Sequence, residues 1–172
     1  MPFPELTGYF TAEKHGGLLL IALATASVAL AAYLFATKSL FAAMAWPVLV
    51  FGAVELVIGL AVAGRASAQI AEIEAGLQSK RTVTITTEVE RMARVNGTFE
   101  LIKKVEIALI AVSILFVIVR PAPQTLGAIG LGVLLQSAVL LAFDTFADHR
   151  AIHYVEWLIA LPPDAGSRPG GR

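Results

Sequence analysis

Between Gly16 and Thr37 the chain reads GGLLLIALATASVALAAYLFAT, with no charged side chain anywhere in the run. A helix of about 20 such residues crosses the ~30 Å hydrocarbon core of a bilayer. Three more stretches repeat the pattern. LFAAMAWPVLVFGAVELVIGLAVAG covers 40–64 and is broken only by Glu55, IALIAVSILFVIV covers 107–119, and PAPQTLGAIGLGVLLQSAVLLAF covers 121–143. In lipid the backbone must satisfy its own hydrogen bonds, so each stretch is expected to be helical. The third has only about 13 uncharged residues, roughly 20 Å of helix at ~1.5 Å per residue. It crosses only if the turn before it, with Glu106, also enters the inner leaflet. The expected fold is all-α: a polytopic membrane protein of four transmembrane helices in an antiparallel bundle. The spans are placed at about 16–37, 40–64, 102–120 and 123–147 within a single domain, 1–161.

Composition then removes whole classes of chemistry. Hydrophobic residues make up 57% and charged residues 15%, where a soluble domain has roughly half and about a quarter. The formal net charge is zero, so no polyanion is expected and nucleic acid is not a partner. The absence of cysteine excludes disulfides, thiol catalysis and cysteine-ligated metals. The sequence contains no glycine-rich phosphate loop, no nucleophile elbow and no zinc-protease motif, so no cofactor and no enzymatic activity are expected. The glycines of GAIGLGVLL follow no strand and are read as helix-packing positions. ALAA near the end of the first stretch imitates a signal-peptide cleavage site. What precedes the stretch carries Glu5 and Glu13 against Lys14, a poor basic region, so a retained span is expected.

Basic residues set the orientation. Arg65, Lys80, Arg81, Arg91, Arg94, Lys103, Lys104 and Arg150 fall on one side of the alternating spans, against Lys38 and Arg120 on the other. The positive-inside bias places both termini and the 65–100 link in the cytoplasm. Ile70, Ile73 and Leu77 continue a helical period out of the second span. Thr87 and Glu90 have capping-box spacing, and Val89, Met92 and Phe99 then lead into the third span. TVTIT, 82–86, alternates like a short strand or stretched turn. Spans two and three therefore extend into a cytoplasmic helical hairpin, about 65–100, with Glu88, Arg91 and Arg94 as its candidate partner surface. After Phe143, residues 148–161 form an amphipathic helix that either continues span four or lies on the membrane surface. Ile152, Val155, Leu158 and Ile159 make its apolar side, with Tyr154 and Trp157 as headgroup anchors. The tail, 162–172, is disordered by composition.

Charges inside the spans are the candidate site. Gly52 and Gly59 flank Glu55 on one helical face, which lets another helix approach and turns the carboxyl inward. Phe99, Glu106 and Ser113 make a matching stripe on span three; Gly130, Ser137, Asp144 and Asp148 make another on span four. Three spans thus bring carboxyls into the inner leaflet, where an ionised side chain costs about 2.5–3.5 kcal/mol even on lenient scales. One reading is structural: Glu55, Glu106 and Asp144 pair with Lys103 or Arg65, or bond Ser113, Ser137 or Gln136. The other is functional, a proton or cation path. His149, His153 and Glu156 share a face of the terminal helix and are weak candidates for one zinc ion; no metal is expected.

YFTAEK, RMARV, IGLGVLLQSAVLLAFDTFADHRA and the glycine-rich second span resemble small bacterial four-span membrane proteins. The resemblance implies a bacterial inner-membrane setting and brings no catalytic residues with it. The sequence alone favours action by protein–protein contact, as an accessory or assembly subunit or an immunity-type protein against a membrane toxin. A protein partner or a homo-oligomer would then accompany it in the lipid bilayer. The alternative is an oligomeric ion or proton channel or transporter using the carboxyls; a metal-dependent membrane enzyme comes third.

Overall fold

The computed structural model describes residues 3–38, 40–118 and 124–162. It is helical throughout: α1 (Pro4–Thr37), a single 3-10 turn at Ala42–Met44, α2 (Ala45–Ser79), α3 (Arg81–Ile118) and α4 (Gln124–Ala160). Helices α1, α2 with its preceding turn, and α4 are long and apolar enough to cross a membrane. The short link at Arg120 and Pro121 expected from the sequence, and the tail beyond Pro162, lie outside the described residues.

Local chemistry sets the helix ends. Pro4 starts α1, where a missing N–H costs nothing. Lys38 closes it in the left-handed region, φ 46°, a common way to end a helix. Between α2 and α3 the helical path breaks only at Lys80, whose N–H bonds the Gly76 carbonyl while its own carbonyl accepts from Thr84. A Cβ on Gly76 would sit 2.6 Å from the Thr84 hydroxyl, so this reversal needs glycine there.

Two sequence expectations are corrected here. TVTIT is neither strand nor stretched turn but the first turns of α3, and Thr87 lies inside the helix rather than capping it. The β-branched run disfavours helix only weakly, by a few tenths of a kcal/mol per residue. Thr84 and Thr86 fold their hydroxyls back onto the carbonyls of Lys80 and Thr82, and Ile85 packs onto the core of the head. Tertiary packing outweighs propensity. Residues 148–160 continue α4 without interruption. Their buried face is Ala151, Tyr154 and Leu158, while Ile152 and Ile159 are exposed; Tyr154 is a core residue and not a headgroup anchor.

The helices associate in two tight pairs. Along α1 and α2 the contacts run in opposite order: Gly17 meets Gly59 and Ala63, Ser27 meets Gly52, and Phe35 meets Trp46. At Gly17 and Gly59 the backbones touch directly, since a Cβ on Gly59 would lie 2.6 Å from the Gly17 carbonyl oxygen. On α3 and α4, Glu88 meets Tyr154, Lys103 meets Asp148, and Ser113 and Phe116 meet Gly130. The pairs join at two places. At one end Met44 and Pro47 pack onto Gly132. At the other, Leu6, Tyr9 and Phe10 of α1, Ile73 and Leu77 of α2, Met92 of α3, and Ala151, Tyr154 and Leu158 of α4 form one buried core, the head. Helices α2 and α3, consecutive in the chain, touch far less than either pair does internally.

The Gly17–Gly59 seam yields a direct test. Gly59→Ala forces a methyl group into backbone, an overpacking worth about 1–3 kcal/mol. We expect its apparent Tm in detergent to fall by about 2–10 °C. Gly64, where a Cβ meets nothing within 4 Å, should tolerate alanine with an unchanged or higher Tm in the same assay.

Candidate functional site

Because α2 and α3 diverge above the head, a cleft of about 560 Å³ opens between the two helix pairs. Its walls are mostly apolar, with Val54 and Ile58 from α2, Ile102 and Leu109 from α3, and Leu140 from α4. Three phenyl rings, Phe51, Phe99 and Phe143, also face it. Glu55, Glu106 and Asp144 line the same space, so the structure brings together three carboxyls that the sequence places on three separate helices. Glu13, Arg65 and Arg150 line it as well, nearer the head.

Of the three carboxyls, Glu106 and Asp144 face each other and Glu55 stands apart. Glu55 is 1% exposed, and neither of its oxygens has a hydrogen-bond partner among the described residues. The Ser27 hydroxyl lies beside the Glu55 carboxyl as its polar neighbour, and it accepts the Gln136 amide at 2.8 Å. Gln136 reaches the Val48 carbonyl as well, so the polar link joins α1, α2 and α4 without Glu55. Glu106 is 4% exposed, with Oε2 unpartnered. Its carboxyl and that of Asp144 lie within hydrogen-bonding reach of each other. Two such groups hold together only with a proton or cation between them, since paired carboxylates repel. Lys103, a candidate partner for these acids, forms its ion pair one turn lower, with Asp148. Ser137 is fully buried with its hydroxyl unpartnered, and Ser113 is buried beside Gly130.

The proposed partner surface fares differently. Glu88 is buried and takes both arms of Arg91 at 2.7 Å. Tyr154 donates to the same carboxylate at 3.1 Å and stacks on Tyr9, ring centroids 4.3 Å apart. Tyr9 in turn donates to Glu13, and Arg91 sits over the Phe10 ring. Glu88 and Arg91 are therefore spent inside the head, and of the three residues only Arg94 is exposed. Sequence reasoning missed this network because it starts at Tyr9 and Phe10, ahead of the apolar run. The signal was YF placed two helical turns before Gly17, on the face that Leu6 and Phe10 share.

The terminal histidines form a chain and not a cage. His153 meets Glu156 through Nδ1 at 3.0 Å and His149 through Nε2 at 3.1 Å. The two ring nitrogens point away from each other, so the three groups do not converge on one point. Among the described residues no three His, Cys, Asp or Glu side chains are arranged to hold a metal ion.

Burial raises the Tyr9 and Tyr154 phenols above their ordinary range, helped by the neighbouring carboxylates of Glu13 and Glu88. The Glu88 carboxylate in turn holds Arg91 more firmly charged. The unfolded phenols ionise near pH 10, so stability present below that pH is lost as pH rises through it. We expect thermal stability to fall progressively as pH rises above about 10. Tyr154→Phe should cost about 1–2 kcal/mol at neutral pH and flatten that alkaline loss. A melting series against pH reads both effects. The chain matches no known protein family, no curated protein and no solved structure.

Proposed function

We propose that the protein is a four-span carrier or channel for a cation, working at the Glu55, Glu106 and Asp144 cleft. The observation behind this reading is that three helices deliver carboxyls to one apolar space, where Glu55 has no ion-pair partner among the described residues. A buried carboxyl inside a membrane needs a proton or a positive charge, and such residues mark ion and proton pathways. The structural alternative needs the acids to be paired within the protein.

The fourth span in this reading is α3. It carries Lys103, Lys104 and Glu106, which weaken its apolar run. From Ile107 to Ile118, however, the exposed side chains are apolar on every side, among them Ile107, Val112, Leu115, Phe116 and Ile118. A helix dressed this way suits lipid and not water. The four helices then alternate in direction as an antiparallel bundle. The head, with most of the lysines and arginines, faces the cytoplasm of a bacterial cell, and both termini with it.

Contact with a protein partner is the second reading. It is favoured by Arg94, Ile152 and Ile159, which remain exposed on the head.

Two measurements test the proposal. The chain has no cysteine, so a single Ser79→Cys in the hairpin turn reports orientation cleanly. We expect membrane-impermeant maleimide to label it only after the inner membrane is opened. In proteoliposomes we expect a cation or proton flux that Glu55→Gln reduces by about tenfold or more, with the folded fraction kept; tenfold is ~1.4 kcal/mol at the site. Equal flux in empty vesicles and in both proteins would remove the transport reading and leave contact.

A further inference from the structure

The cleft's chemistry narrows what its cation is. A small hydrated ion needs a cage of oxygens at short range, with six or more ligands for the divalent cases. Here the carboxyls are spread over three helices, and the space between them is walled by valine, isoleucine and leucine with three phenyl rings. Aromatic faces hold organic cations through the ring quadrupole, most strongly where water is excluded. The volume, about 560 Å³, falls in the range of sites for small organic ligands, roughly 300–1,000 Å³. The buried Glu55 carboxyl, with no cation paired to it among the described residues, supplies the missing countercharge from one wall, and Glu106 with Asp144 supplies it from the other.

We propose that the cleft between α2 and α3 binds a hydrophobic organic cation, an aromatic or aliphatic onium or amine, taken up sideways from the inner leaflet. This rests on the cation reading of the same site and adds the substrate class and the route. The charge sits between Glu55 and the Glu106–Asp144 pair, and the apolar body lies against Phe51, Phe99 and Phe143. Arg65 and Arg150, which line the cleft nearer the head, repel the same charge and keep it at the carboxyls.

The test uses the full chain in nanodiscs of zwitterionic lipid, with radiolabelled tetraphenylphosphonium as probe and tetraphenylborate as its anionic counterpart. The expected result is saturable binding of the phosphonium and none of the borate. Glu55→Gln and Glu106→Gln should each weaken binding by about tenfold or more. Phe143→Leu should weaken it by roughly threefold to tenfold. Where a carboxyl variant does not stay monodisperse, Phe143→Leu and the borate comparison in wild type still decide the matter. Equal uptake of both probes is partition into apolar space and overturns the inference. Absence of saturable phosphonium binding while proteoliposomes still pass protons or sodium overturns it too, and leaves the cation reading standing. Absence of both removes the two together.

Discussion

Everything above the head depends on how closely α1 and α2 approach. At Gly17 and Gly59 the two backbones touch, which only glycine permits, and in lipid that contact takes over the role that water exclusion has in a soluble core. The same device recurs where α4 meets α3 at Gly130 and the α2 turn at Gly132. Packing attraction is thereby concentrated within each pair and at the two ends where the pairs join. Midway between α2 and α3 no small-residue seam exists. Their facing side chains are Val54, Ile58, Ile102 and Leu109, too bulky for backbone contact, so the helices stand apart. The cleft is the geometric remainder of where the glycines are.

Periodicity made much of this readable. The Gly52–Glu55–Gly59 face, the Glu106–Ser113 stripe and the Gly130–Ser137 stripe all turn inward as their spacing requires. An ionisable or small residue in an apolar helix is informative because lipid penalises the first and gives nothing to hold the second. What was not readable lies where the lipid argument lapses. In the head, water is available and a charged residue is cheap on either face, so Glu88 and Arg91 looked like surface. Their burial follows from Tyr154 and Tyr9, which come from the two ends of the chain, a juxtaposition that no local pattern encodes. TVTIT misled for the opposite reason, since its local preference was real but too small to resist packing of Ile85.

The pairing of the charges was also invisible in one dimension. Lys103 is three residues from Glu106 and on the same helix, the usual spacing for an ion pair. It goes instead to Asp148 on α4, while Glu106 faces Asp144, one turn from Asp148 on the same helix. That choice leaves Glu106 without an ion pair of its own among the described residues, while Lys103 still attracts the neighbouring Asp144. Glu106 and Asp144 are left facing each other beside the apolar space.

The head and the cleft are not independent. Each of the four helices passes from one into the other without a break, and the Glu88–Arg91–Tyr154 network ties α3 to α4 just below the Lys103–Asp148 pair. Breaking such a network by removing one partner would strand a buried charge, at about 3–5 kcal/mol, so this end is the stiffer one. At the far end the pairs join again, where Met44 and Pro47 pack onto Gly132. The cleft is therefore closed by packing at both ends and bounded along its length by α2 and α3. The glycine contacts that hold each pair together therefore also frame the space between the pairs.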